Sequence, residues 1–311
     1  MPPLKNDFSW SLSRHKAFQA CPRRYYLASY RSWGGWEARA DKLTKLCYRL
    51  SKMQNLWTWS GAIVHSQIEN CLRRIAAGMD PGESADLIEP AAIEALRVGW
   101  VQSKSGAWKS DPKGAVNLFE HYYDQPVEQR LTELIKQRVV NSLRYFRESS
   151  AFEFILACGP GRWKSLEQFQ SFQLGKLKVG LRIDFAAATS EDQAIIWDWK
   201  TGKPAEDDTL QAAIYTLYAM TAWGYPLERV VTEFVYLTQG TLNSTLWNEQ
   251  VIEGIRARIH GSAMELYALL DDPEKNLARA QNFPMTENRA ECARCNFYEA
   301  CFSTRKIEMK G

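Results

Sequence analysis

The sequence predicts an α/β layer fold on three observations. Apolar residues alternate with polar ones in the middle of the chain, a second strand pair follows beyond a helix, and long helical periodicities flank both. In VGLRIDFAAA, Val179, Leu181, Ile183 and Phe185 alternate with Gly180, Arg182, Asp184 and Ala186, which sets Asp184 opposite the apolar face of a strand. The polar cluster at 189–192 marks a turn, and AIIWDWK follows as a second strand with Ile196, Asp198 and Lys200 on one side. Two strand rises separate the Cα atoms of Asp198 and Lys200 by about 6.6 Å, so the two side chains project together. If the strands are antiparallel neighbours, Asp184 converges on Asp198. Two carboxylates with an ammonium beside them suit a hard cation and an anion held against it.

The remaining elements follow in order. Ser9 or Ser11 can cap a first helix that leads to a break at Cys21-Pro22, after which RRYYLASY resumes the helical pattern. From Thr58 to Ala77, Val64, Ile68, Leu72 and Ile75 form the apolar stripe of a helix, with His65 at the stripe's edge, a position open to a structural histidine or a metal ligand. Residues 80–150 read as mostly helical segments punctuated by Pro81, Pro90, Pro112 and Pro126, a helical insertion or subdomain without a chemical motif. FEFILA at 152–157 and LEQFQSFQL at 166–174 read as strands, the second carrying Glu167. A helix beginning near Asp208 follows, with Leu210, Ile214 and Leu217 as its stripe and Gln211 and Tyr215 one turn apart on a neighbouring face. Asp208 and Gln211 also fit a capping box, and a tyrosine beside an apolar stripe also fits a core. VVTEFVYLTQG and TLNSTLW then read as a strand pair, and an amphipathic helix runs from about Asn248 to Leu270.

With 45% hydrophobic and 24% charged residues in 311, the chain has the make-up of a globular protein with ample core, not of a disordered one. No apolar run is long enough to cross a bilayer and the first residues lack a hydrophobic signal core, so a cytoplasmic protein without membrane contact is expected. The net charge of +3 does not mark a nucleic-acid binder, but its distribution is uneven. Residues 1–50 hold ten Lys and Arg against three acids, interleaved with Tyr25, Tyr26, Tyr30, Trp33 and Trp36. That pattern suits a phosphate backbone and stacked bases, with Arg23, Arg24 and Tyr25 as candidate DNA contacts; the solvated face of an ordinary basic helix carries the same pattern.

Seven cysteines, an odd number in a chain expected to be cytoplasmic, argue against a disulfide framework. Cys292, Cys295 and Cys301 read C-x-x-C-x-x-x-x-x-C, a gathering of thiols that usually binds metal and that requires a fourth ligand. Zinc is one occupant, although zinc ribbons usually present two C-x-x-C pairs.

Ile183-Asp184, then Asp198-Trp199-Lys200-Thr201-Gly202, then Gln211 with Tyr215, resemble the PD-(D/E)XK nuclease superfamily in its RecB-like branch. GAIVH at 61–65 is similar to the G-x-x-x-H helix of those nucleases. Cys21 in F-x-x-C-P, with three cysteines at the far end, resembles the iron-sulphur staple of AddB-type helicase-nucleases and of the small CRISPR-associated nucleases known as Cas-four. The resemblance implies a restriction-endonuclease-like core, a mixed central sheet flanked by helices, in one domain over 1–311 with 286–311 as the cysteine segment; it does not account for residues 80–150, read above as a helical insertion or subdomain. It implies His65, Asp184 and Asp198 as ligands of Mg²⁺ or Mn²⁺, Lys200 as the catalytic lysine, Gln211 and Tyr215 as supporting groups, and Glu167 as an acid near the metal or a surface carboxylate. It implies Cys21, Cys292, Cys295 and Cys301 as ligands of a four-iron, four-sulphur (4Fe-4S) cluster that staples the chain ends. The activity implied is a metal-dependent deoxyribonuclease, in the first instance an exonuclease leaving a 5′-phosphate, that acts on DNA ends or single strands in recombination, repair, CRISPR adaptation or phage defence. A helicase or a CRISPR integrase-type protein is the partner implied. A catalytically silent DNA-binding module on the same fold and a zinc-stapled DNA-binding protein are the alternatives.

Overall fold

Ser11 starts the first helix by accepting a hydrogen bond from the Arg14 amide, and Cys21 both ends that helix and precedes the next. In the computed structural model, which describes residues 5–189, 191–245 and 247–307, the helices in chain order are α1 Leu12–Ala20, α2 Pro22–Tyr26, α3 Lys42–Ser51, α4 Leu56–Ala76, α5 Pro81–Asp86, α6 Ile88–Ser105, α7 Phe119–Tyr122, α8 Gln129–Arg147, α9 Ser150–Cys158, α10 Glu206–Ala222, α11 Glu249–Ala268, α12 Arg289–Ala293 and α13 Tyr298–Phe302. A π-helical turn, Leu27–Arg31, continues α2. The strands are β1 Trp163–Leu174, β2 Leu177–Ala188, β3 Ala194–Lys200, β4 Val230–Tyr236 and β5 Thr241–Thr245. None of the described helices is long and apolar enough to cross a membrane.

The chain divides into two compact units. The first comprises Met1–Trp57, Val98–Glu128 and His260–Gly311, the second Thr58–Arg97 and Gln129–Ile259. The divisions fall inside α4, α6 and α11 and at the start of α8, so residues 80–150, expected as one helical insertion, are shared between both units.

The second unit holds the sheet, in the order β1-β2-β3-β4-β5. β1, β2 and β3 form an antiparallel meander, β3 and β4 are parallel, and β5 returns antiparallel to β4. A parallel pair needs a crossover, and α10 supplies it between β3 and β4. On one face Phe146 of α8 meets Trp199 edge-on at 5.2 Å between ring centres, and Phe154 of α9 meets Trp197 at 5.3 Å. On the other face lies α10, whose Tyr215 reaches Asp198. Alternation along β3 therefore sends Trp197 and Trp199 to one layer and Asp198 to the opposite one, as a period of two requires.

One expectation about an element in this unit is corrected and two others are given bounds. Residues 152–157 are helical, because Ser149 caps α9 through the Phe152 amide, Ala151 and Ile155 bury at helical spacing, and Gly159 ends the element at a φ of +69°. The helix expected to begin near Asp208 begins at Glu206, and Asp208 sits in its first turn, where Oδ2 accepts a hydrogen bond from the Ala205 amide at 2.9 Å. The strand expected over 241–247 runs over Thr241–Thr245, and Leu246 lies outside the described residues.

The first unit joins residues from both ends of the chain. Its core gathers Leu27, Cys47, Leu50, Met53, Trp108, Phe119, Tyr122, Tyr123, Phe297 and Tyr298. The Arg23 guanidinium donates to the Phe283 carbonyl at 2.7 Å, the Asn296 amide side chain to the Met53 carbonyl at 2.8 Å, and the Trp10 indole to Ser262 at 3.0 Å.

Candidate active site

β2 and β3 pair from Ala188–Ala194 up to Phe185–Trp197, and one further step in that register sets Asp184 opposite Asp198. There the ladder gives way to a side chain: Asp184 Oδ2 accepts the Trp199 amide at 2.8 Å. Both carboxylates are buried, Asp184 at 5% exposure and Asp198 at 3%, as their convergence on adjacent strands demands.

Both carboxylate oxygens of Asp198 have partners. Oδ2 pairs with Lys200 Nζ at 2.7 Å, while Oδ1 accepts from the Gln211 amide at 2.7 Å and lies 2.7 Å from the Tyr215 hydroxyl. Gln211 spans the group, since its Oε1 accepts from Lys200 at 2.6 Å and its Nε2 lies 2.6 Å from the Tyr215 hydroxyl. That hydroxyl is also 2.9 Å from the Arg182 carbonyl, so its single proton serves Asp198 or the backbone in turn. Burial opposes the charge on Lys200, but Asp198, Asp208 and Asp184 overcome it and raise the ammonium's pKa. Burial, Asp198 and Asp184 all keep the Tyr215 phenol protonated, its pKa raised well above 10.0.

Three donors stand together beside Asp198. His65, Glu167 and Asp184 bring one ligand atom each within 4.8 Å of one another, and among the described residues they form the one such group of three or more. His65 Nδ1 lies 3.1 Å from Glu167 Oε1 and 3.3 Å from Asp184 Oδ2. α4 brings His65 here through Gly61, one turn earlier, where an added Cβ would stand 3.0 Å from Thr201 Oγ1 at the end of β3. Glu167 arrives by backbone conformation. It has a φ of +49° within β1, in the register position opposite Asp184, and its side chain is only 7% exposed. A non-glycine residue at positive φ inside a strand is costly, and this one turns a carboxylate to the histidine. Burial works against a charged His65, yet Asp184 and Glu167 hold its pKa well above 6.5. Burial raises the pKa of Asp184; His65 opposes this, while Asp198 and Glu167 add to it.

Two carboxylates and an imidazole, with converging donors, fit a divalent cation of the Mg²⁺ or Mn²⁺ type. Of the expected ligands, His65 and Asp184 lie in this close group, Glu167 joins them, and Asp198 stands adjacent with both oxygens engaged by Lys200, Gln211 and Tyr215. Asp208, read from the sequence only as a cap, lies 3.5 Å from Lys200 Nζ and accepts the Tyr236 hydroxyl at 2.8 Å. Lys200 also stands over the Phe234 ring at 5.0 Å. Nothing in the sequence pointed to Phe234 and Tyr236, because their approach depends on the parallel β3–β4 register, in which Lys200 pairs with Tyr236.

The first unit carries a second constellation. Cys21, Cys292, Cys295 and Cys301 all line one cavity, together with Arg24 and Thr286. The Thr286 amide donates to Cys21 Sγ at 3.4 Å. Burial raises the pKa of Cys295 and pushes that of Cys301 up to about 12, and the neighbouring cysteines add to both. Arg24 opposes the rise at Cys295 and Arg23 at Cys301.

The three residues expected to contact DNA are thus placed differently. Arg24 lines the cysteine cavity, Arg23 is tied to Phe283, and Tyr25 is 1% exposed among Phe18, Tyr30 and Phe283. The Tyr25 expectation is corrected, since a ring buried among other rings has no face left for a base.

The sequence profile of the PD-(D/E)XK nuclease superfamily matches residues 9–302. None of the curated proteins matches the chain. Proteins of this superfamily are generally metal-dependent nucleases acting on DNA with divalent ions such as Mg²⁺ or Mn²⁺. A profile match over nearly the whole length agrees with the mixed five-stranded sheet and the Asp184, Asp198 and Lys200 arrangement, and the chain belongs to the PD-(D/E)XK nuclease superfamily.

Proposed function

We propose that this protein is a DNA exonuclease of the RecB-like branch, in which His65, Glu167 and Asp184 hold a divalent ion and Lys200 acts on the scissile phosphate. The observation that carries the reading is the pairing of a close His-Glu-Asp donor group with a half-buried, charged lysine fixed by Asp198. A phosphodiester is an anion that repels hydroxide, so hydrolysis needs positive charge on the phosphate and a deprotonated water. When bound, the ion supplies Lewis acidity and lowers the pKa of water. Asp198 holds the Lys200 ammonium in place, and Gln211 and Tyr215 hold Asp198, so the cation is oriented before substrate arrives. Arg182, exposed at the rim and 3.9 Å from Glu167, adds a guanidinium within reach of a strand's phosphates.

In the same reading Cys21, Cys292, Cys295 and Cys301 hold a four-iron, four-sulphur cluster that ties the amino-terminal helices to the carboxyl tail. The four thiols come from opposite ends of the chain and line one cavity, which supports a shared occupant. Crowded, buried thiols with raised pKa values lose their protons only against strong positive charge, which a bound metal centre provides.

The test is digestion of single- and double-stranded DNA labelled at either end, with Mn²⁺ and with EDTA, beside a visible spectrum of protein purified without oxygen. Mn²⁺-dependent release of short products from one end, by a brown protein, is expected. Cleavage unaffected by EDTA would reject the metal site, internal cutting of circular DNA would reject the exonuclease assignment, and a colourless zinc protein would reject the cluster.

A further inference from the structure

The turn Trp33-Gly34-Gly35-Trp36 leads from the π-helical turn toward α3. Its two glycines serve different needs. Gly34 has a φ of +76°, and a Cβ on Gly35 would lie 2.3 Å from Tyr48 Cβ and 2.6 Å from the Thr44 carbonyl oxygen. The turn is thus pressed directly onto α3, and both indoles stay at the surface, Trp33 at 38% and Trp36 at 44% exposure. They meet edge-to-face at 5.1 Å and 80°, and Trp36 meets Tyr48 at 5.7 Å and 67°. Lys45 secures the following loop by donating to the Ala38 carbonyl at 2.7 Å. The segment is net cationic: residues 31–52 contain six Lys and Arg against two acids, Arg31 being paired with Asp41 at 2.8 Å; Arg39, Lys42 and Lys52 are exposed, and Lys52 lies 5.2 Å from the centre of the Tyr48 ring.

A rigid aromatic pair on a basic segment complements a partner that is anionic and offers flat aromatic faces. Unpaired nucleic-acid strands have both properties, whereas a duplex keeps its base faces in the stack and offers only phosphates. We propose that Trp33 and Trp36, on a segment that also exposes Arg39, Lys42 and Lys52, form a stacking site for the bases of a single-stranded nucleic acid. The proposal uses none of the residues assigned to cleavage and stands or falls independently of them.

The experiment is fluorescence anisotropy of the full chain with a labelled oligothymidylate and with an abasic strand of equal length and charge, both in EDTA. Trp33→Ala and Trp36→Ala each weaken oligothymidylate binding by about tenfold or more and leave abasic binding within about twofold, while Trp36→Phe keeps most of the affinity. Oligothymidylate binding within about twofold of the unmodified protein in both alanine variants, or an equal loss on the abasic strand, would overturn the proposal. Should the alanine variants not fold, photocrosslinking of a 5-iodouracil strand to the unmodified protein decides: adducts on Trp33 or Trp36 support the site, and adducts confined elsewhere overturn it. Lys200→Ala, tested for cleavage and for oligothymidylate binding, separates failure of the nuclease reading from failure of this one.

Discussion

Around Asp198 in the sheet-bearing unit, Lys200, Gln211 and Tyr215 are each bonded to the aspartate, and Gln211 is bonded to the other two as well. The four cysteines of the other unit instead stand around an open cavity, carried by α1–α2 at one end of the chain and α12–α13 at the other. The first centre is held by its own hydrogen bonds, so removing one member should damage chemistry before fold. The second relies on whatever fills the cavity to hold its parts together, so removing one member should damage fold first.

The sharpest break of that contrast is at the cysteines. On the proposed cluster, Cys21→Ser and Cys295→Ser should each lose iron and destabilise the protein by about 5 kcal/mol, the order expected for releasing a cross-link that closes a loop of nearly the whole chain. Denaturant unfolding with the visible spectrum reads both effects. Cys47→Ser, Cys71→Ser and Cys158→Ser should keep the iron, since none of these cysteines lines the cavity. Iron retained in Cys21→Ser and lost in one of those three would place the fourth ligand elsewhere.

At the sheet, Lys200→Ala or Asp198→Ala should lower the single-turnover cleavage rate by about 10³-fold, or about 4 kcal/mol, in a protein that remains folded by circular dichroism. Wild-type rates in either variant would remove these residues from the chemistry.

A smaller effect is expected at His65, and it depends on pH. Its neighbours raise its pKa well above 6.5, so a divalent ion must displace a proton to bind. Mn²⁺ affinity should therefore rise with pH through 6.5 and beyond, and His65→Ala should both weaken binding at least about tenfold and flatten that rise. In metal-free protein the sign reverses. A group with a raised folded pKa contributes stability that is fully present below its unfolded value and is lost as pH climbs through the folded one. Thermal melts in EDTA should accordingly fall with increasing pH above 6.5, less so in His65→Ala.

The smallest effect is expected from Tyr236→Phe, which removes one hydrogen bond from Asp208 behind Lys200. A cleavage rate lower by up to about tenfold, with KM little changed, would mark Tyr236 as a positioning residue.

The contrast also explains what could be read from the sequence. Asp184, Asp198 and Lys200 were legible because a period of two fixes the face of each side chain, and β2 and β3 meet in the register that this pattern requires. Gln211 and Tyr215 were legible as a pair because one helical turn separates them. Glu167 was ambiguous, because its place in the site depends on a positive φ that no residue type announces. Residues 152–157 were misread because a short apolar run fits a strand as well as a buried helix, and the Ser149 cap and Gly159 stop decided it. Tyr25 was misread because a basic, aromatic sequence does not say which of its rings face inward.

On the proposed function the ion sits among His65, Glu167 and Asp184, with Asp198 serving chiefly to fix Lys200. Calorimetric titration with Mn²⁺ of the unmodified protein, Glu167→Gln and Asp198→Asn tests it directly. The account predicts that Glu167→Gln weakens Mn²⁺ binding at least as much as Asp198→Asn does. Binding abolished in Asp198→Asn and unchanged in Glu167→Gln would contradict it.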